Sequence, residues 1–140
     1  MTDVAFDCDP LEHAIRSALA ALDPARSALE EITAMFPQER RQLTSRLSRA
    51  VATADVWDPT IRHDLQRIID VAQADIDRGR HREVIYDPYY VEQYYTHDVL
   101  EPHAAALQRA VWPVTVLLER LQAVEHITSA ERLAREMRGH

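Results

Sequence analysis

Residues 86–98 read YDPYYVEQYYTHD, from Tyr86 to Asp98, and hold all five tyrosines of a 140-residue chain that has only two phenylalanines and two tryptophans besides. Asp87-Pro88 has the form of a helix start: an aspartate can accept from the free N–H groups of a first turn, and a proline at the next position loses no backbone bond. The stretch therefore predicts a brief helix from Pro88, stopped by Glu101-Pro102 because a residue before proline avoids helical dihedrals. On that helix Tyr90 stacks on Tyr94 and Val91 on Tyr95, one turn apart. Tyr89 comes out about 140° around from Tyr94. The rings would then cover most of the circumference, more than one packed face can bury.

Working outward, the same dipeptide recurs at Asp9-Pro10, Asp23-Pro24 and Asp58-Pro59, each followed by sequence compatible with a helix. Apolar residues at three-to-four spacing follow: Leu11, Ile15, Ala18, Leu19 and Leu22, then Leu29, Ile32, Met35 and Phe36. Pro37 opens a third helix with Leu43, Leu47, Ala50, Val51 and Ala54 inward, closed by Trp57. A fourth runs from Pro59 with Ile61, Leu65, Ile68, Ile69, Ala72 and Ile76 inward, ending at Gly79 as a left-handed cap. The third and fourth form a long antiparallel hairpin across the Trp57-Asp58-Pro59 turn.

After Pro102 a long helix over 102–126 carries Leu107, Ala110, Val114, Leu117, Leu121 and Val124, widened by Val111 and Leu118, with a kink or restart expected at Pro113. Thr128-Ser-Ala-Glu131 has the pattern of a capping box for a last short helix with Leu133 and Met137. No strand pattern stands out. The expectation is an all-α, single-domain antiparallel bundle of six or seven helices spanning 1–140.

Composition narrows function. A formal charge of −7 repels phosphate backbones and argues against nucleic acid, although 38–50 and Arg78-Gly-Arg-His-Arg82 are locally basic. The plainer account makes the first basic run a solvated face paired with nearby acids, and the second a complement to a helix C-terminus. All 16 basic residues are arginine, which fits a GC-rich bacterial genome. The one cysteine, Cys8, lies between Asp7 and Asp9, where a thiolate is disfavoured. The longest nearly apolar run, 110–118, is too short to span a bilayer, and the acidic start lacks the basic face of a signal peptide. These features place the protein in the cytoplasm with no membrane partner.

Two glycines, Gly79 and Gly139, leave no glycine-rich phosphate loop, and no nucleophile elbow or zinc-ligand pattern occurs, so neither catalysis nor a cofactor is implied. His97, His103 and His126 could hold a metal only if helices brought them together, and His13 and His63 should face water. The segment Arg120-LQAVE-His126 resembles the arginine–histidine spacing of HEPN-type ribonucleases, which are also helical bundles; Leu121 stands where that family usually has a polar residue. Tyr94-x-x-x-Asp98 resembles the export signal of type VII secretion substrates, without their Trp-x-Gly turn.

Tyrosine and arginine are the residue types favoured where partners contribute most binding energy. The expected site is therefore Arg78, Arg80, Arg82, Tyr86, Tyr89, Tyr90, Tyr94, Tyr95 and His97. Its expected role is non-enzymatic association, as a homodimer or with another protein. The alternatives are a small-ligand pocket under this segment, ribonuclease action through Arg120 and His126, or a short helix that simply plugs the bundle end.

Overall fold

The structure, a computed structural model, describes residues 9–53, 55–90 and 93–139; at 87, 90 and 93–95 it describes the main chain. The element order is α1 (Pro10–Ala20), α2 (Leu22–Met35), α3 (Gln38–Ala52), α4 (Pro59–Arg78), β1 (Arg80–Asp87), a 3₁₀ turn (Pro88–Tyr90), β2 (Gln93–Leu100) and α5 (Pro102–Arg138). Cys8 and Ala54 lie outside the described residues. The protein is mostly helical, with one small two-stranded sheet.

The four Asp-Pro pairs turn out to do three different things. Asp9 and Asp58 cap helices as expected, their carboxylates accepting from Leu11 N (3.0 Å) and Thr60 N (2.8 Å). Asp23-Pro24 instead lies within the first turn of α2, whose cap position is Ala21, with no side-chain cap bond. Asp87-Pro88 ends a strand and enters a 3₁₀ turn.

α5 is the spine. At 37 residues it is about 55 Å long, and α1, α2 and α4 all pack on it. Pro10, His13 and Ser17 neighbour Arg120 and Ile127, Pro24 neighbours Pro113, and Phe36 neighbours Leu107. Helices α1 and α2 thus run end to end, antiparallel to α5. The Arg62–Glu125 ion pair brings the start of α4 to the latter half of α5, and Arg40–Asp75 (2.6 Å) and Arg46–Asp64 (4.0 Å) set α3 antiparallel to α4. The cross-section is that of a four-helix, up-down-up-down bundle.

Its core is the one the 3.6-residue periodicity points to. Leu29, Ile32, Leu65, Ile76, Val114, Leu117 and Val124 are each buried to 1 % exposure or less. On α4 the buried set is Ile61, Leu65, Ile68, Ala72 and Ile76, with Ile69 packed at its margin. Leu19 and Met35 do not join the core and are about half exposed, because Ala18 and Phe36 take the inward positions beside them. Thr44, unrecognised in sequence, is fully buried, and its hydroxyl is satisfied by donating to the Arg41 carbonyl at 3.1 Å. Three arginines of the basic run are likewise engaged at home: Arg40 and Arg46 with acids of α4, and Arg41, whose Nε donates to the Phe36 carbonyl at 2.9 Å.

Among the described residues the expected six or seven helices are corrected to five, for two physical reasons. Thr128 does not cap a new helix: its hydroxyl donates to the Val124 carbonyl at 2.7 Å, the i−4 bond available only inside a continuous helix, and α5 runs on to Arg138. Pro113 interrupts nothing either, since the helix passes through it without a restart. Second, the expected helix from Pro88 is not found: Pro88–Tyr90 form a 3₁₀ turn and 93–98 belong to strand β2. Val84-Ile85-Tyr86 and Tyr94-Tyr95-Thr96 are β-branched and aromatic residues, which favour a pleated surface, and they pair across an antiparallel ladder.

Candidate functional site: a tyrosine-bearing β-ribbon

The residues expected to form the site are carried by a β-ribbon inserted between α4 and α5. Its root begins at Gly79, whose N–H donates to the Ile76 carbonyl (3.0 Å) while its own carbonyl accepts from Glu101 N (2.8 Å). This short bond holds the two ribbon ends together where the chain leaves and re-enters the bundle. Gly79 is not the left-handed cap expected from sequence, since φ is −88°. Glycine is required there for space: a Cβ would lie inside van der Waals contact of Ala104 Cβ at the start of α5. Leu100, at the other root position, packs on the core.

From that root, eight residue pairs run from Arg80↔Leu100 to Asp87↔Gln93, an arm about 25 Å long. Alternation puts Arg80, Arg82, Val84 and Tyr86 on one face with register partners 100, 98, 96 and 94. His81, Glu83 and Ile85 share the other with 99, 97 and 95. The root half is charged and internally paired: Arg82 Nε lies 3.5 Å from Asp98 Oδ1, and His81 sits between Glu83 (3.3 Å) and Glu101 (3.4 Å). Beyond it, 84–86 and 94–96 are uncharged, and Asp87 stands opposite Gln93 at the far end of the ladder.

Both halves are exposed, so the apolar and aromatic residues beyond the root are open to solvent. Val84 is 65 % exposed, Tyr86 45 %, and Tyr89, on the 3₁₀ turn, 92 %. His97 is exposed as well, on the face it shares with Glu83. The expected plug at the bundle end is therefore corrected: Tyr86 and Tyr89 are not enclosed by their own chain. Tyr90, Tyr94 and Tyr95 are placed by main chain and register alone. Arg78 belongs to the last turn of α4, where it pairs with Asp75, while Arg80 and Arg82 stand in β1, so the three arginines are not one loop.

Beside the ribbon root lies a half-open groove of about 560 Å³, walled by Met35, Phe36, Pro37 and Leu107, with Asp75, Arg78 and His103 among its lining. Among the described side chains, neither Tyr86 nor Tyr89 lines it. Sequence reasoning missed this groove; the one available signal was the helix break at Phe36-Pro37, which leaves Met35 exposed.

The remaining candidate residues are dispersed. His103 and His126 are 23 positions apart on one unbroken helix, about 35 Å, so His97, His103 and His126 do not converge. Among the described residues no group of three or more His, Cys, Asp or Glu is placed to hold a metal. The Arg120 guanidinium donates to the Ser17 carbonyl at 3.0 Å, fastening α1 to α5, and His126 is exposed. His13 and His63 face solvent as expected. No described helix is long and apolar enough to cross a membrane. The chain matches no family model, and neither a curated protein nor a solved structure matches it.

Proposed function

We propose that this protein is a non-enzymatic association module whose contact element is the distal half of the β-ribbon. The observation that carries the reading is Val84 at 65 % and Tyr89 at 92 % exposure on a two-stranded arm, beyond its charged root. A lone two-stranded ribbon is marginal in water, and a stable one needs a third strand or a packing surface. Here the bundle touches the arm near its root, leaving the distal half to be covered by something else. Aromatic rings that tolerate water through a hydroxyl are suited to a surface that is alternately exposed and covered.

The test is the double variant Val84→Arg/Tyr89→Ala. Association, followed by light scattering of the purified chain and by retention of partner proteins on immobilised chain, should fall at least about tenfold, the range expected for central interface positions. The helical circular dichroism should stay, because all five helices lie outside the arm. Undiminished association would remove the arm from the function, and collapse of the helical signal would make it a structural element instead.

A second reading has one observation in its favour. The 560 Å³ groove beside the arm root has the size and the apolar walls with a few polar groups that small-molecule sites show. It would make the protein a ligand-binding bundle; a thermal-shift screen in which ligands protect wild type but not an Ala106→Trp variant would support it.

A further inference from the structure

We infer that the arm's occupant is a second copy of this chain, with β1 strands pairing edge to edge about Val84 and Tyr89 of each copy entering the groove beside the other's arm root; this rests on the association reading above. In a two-fold antiparallel pairing, residue i faces c − i. Faces and hydrogen-bond directions match only when c is even, so one residue of β1 must face its own symmetry mate.

Like charges directly opposite exclude every centre on β1 but Val84 and Tyr86, and a centre on Tyr86 would pair only 85–87 of the strand. Centring on Glu83 sets two carboxylates directly opposite, and centring on Ile85 sets Glu83 against the Asp87 position, both destabilising. Centring on Val84 avoids every like-charge pair: Val84 faces Val84, Arg82 faces Tyr86, Glu83 faces Ile85 and His81 faces the Asp87 position. Arginine beside a tyrosine ring is itself favourable.

That register has a consequence that the charges did not demand. The paired strands end with position 87 opposite His81, so the 3₁₀ turn that carries Tyr89 comes next to the other copy's arm root. Gly79 there lies beside His103 and follows Arg78, both of which line the groove. A ring that is 92 % exposed is thus delivered to an apolar groove of about 560 Å³. The groove's chemistry suits a phenol: Met35, Phe36 and Leu107 offer apolar walls, and Asp75 and His103 offer partners for a hydroxyl. A buried tyrosine contributes 150–250 Å², twice by symmetry, on top of a continuous four-stranded sheet in place of two marginal ribbons.

Cross-linking tests it in the full chain carrying Cys8→Ser, which removes the only native thiol. Val84→Cys should form a disulfide-linked dimer under mild oxidation, because directly opposed residues of paired strands lie within disulfide reach. Glu83→Cys should not, being offset from its own mate by about 8 Å. Tyr89→Ala and Ala106→Trp should each weaken the dimer about tenfold in sedimentation equilibrium, and together little more, since both remove one contact. Cross-linking through Thr96→Cys in place of Val84→Cys would overturn the inference while leaving the arm as the contact element. So would a chain that stays monomeric at about 100 µM yet binds another protein through the arm. A dimer that persists after Val84→Arg/Tyr89→Ala would overturn both readings. Strictly additive effects of Tyr89→Ala and Ala106→Trp would overturn the groove contact.

Discussion

The hairpin of α4 and α5 and the ribbon between them are neighbours in sequence built on opposite terms. In the helical pair the core-facing apolar side chains are enclosed: Ile68, Leu65, Leu117 and Leu121 are at 2 % exposure or below. In the ribbon, Val84 and Tyr89 are more exposed than most charged residues are in globular proteins. The bundle stabilises itself, whereas the arm is held by its backbone ladder and its root. The two should respond to mutation in contrasting ways, and the contrast can be broken at several points.

The largest effect belongs to the core. Leu65→Ala removes a fully buried side chain from a position enclosed by α4 and α5, and should cost about 3 kcal/mol in urea unfolding. Val84→Ala, on the same scale and in the monomer, should change unfolding by less than about 0.5 kcal/mol. Comparable losses at the two sites would mean the arm is part of the cooperative core and that the division drawn here is wrong.

The junction between the two regions comes next. Gly79→Ala places a methyl against Ala104 Cβ, with the backbone of α4 and the first turn of α5 on either side, and overpacking of that kind costs about 2 kcal/mol. Ala104→Gly should recover part of the loss in the double variant, although glycine inside a helix itself costs about 1 kcal/mol. Equal and additive losses would show that the close approach at the root does not limit where the arm is set.

How much of this could be read before the coordinates divides along the same line. The bundle was legible because an amphipathic helix repeats its apolar face over many residues: on α4 every buried position falls at the expected spacing. Local signals were weaker guides. Asp-Pro names two residues and not the five or six that follow, so the same dipeptide caps α1 and α4, sits inside the first turn of α2 and turns the ribbon. Thr128-x-x-Glu131 matched a capping box, but a threonine can also satisfy itself by bonding back one turn, and only the continuity of α5 decides between them. The tyrosine stretch was misread because neither 80–87 nor 93–100 shows an apolar-polar period, and only their pairing with each other makes them strands. Composition nonetheless drew attention to the residues that the ribbon carries, whatever their backbone did.

The two kinds of Asp-Pro give a smaller test. Asp58→Ala should cost about 1 kcal/mol, the usual loss when a side-chain cap on a first-turn N–H is removed. Asp23→Ala, lacking a cap bond, should stay within about 0.5 kcal/mol. Thermal unfolding of the two variants side by side separates them, and equal shifts would mean that charge near the helix start, and not the capping bond, is what the aspartates contribute.

The smallest effect is predicted at the charged root of the arm itself. Arg82 and Asp98 face each other across the ladder at 3.5 Å with side chains 76 % and 61 % exposed. A pair so open to water gains little, because solvent screens the attraction and holding two mobile side chains costs entropy. Arg82→Gln should therefore shift monomer unfolding by no more than about 0.3 kcal/mol, and that shift should vanish in 0.5 M salt. In the β1-paired dimer the same arginine lies beside Tyr86 of the second copy, so there its loss should weaken association more than it weakens folding. A variant that unfolds markedly more easily while dimerising as well as wild type would assign the pair to holding the ribbon together, and would leave the distal half to recognise its partner without help from the root.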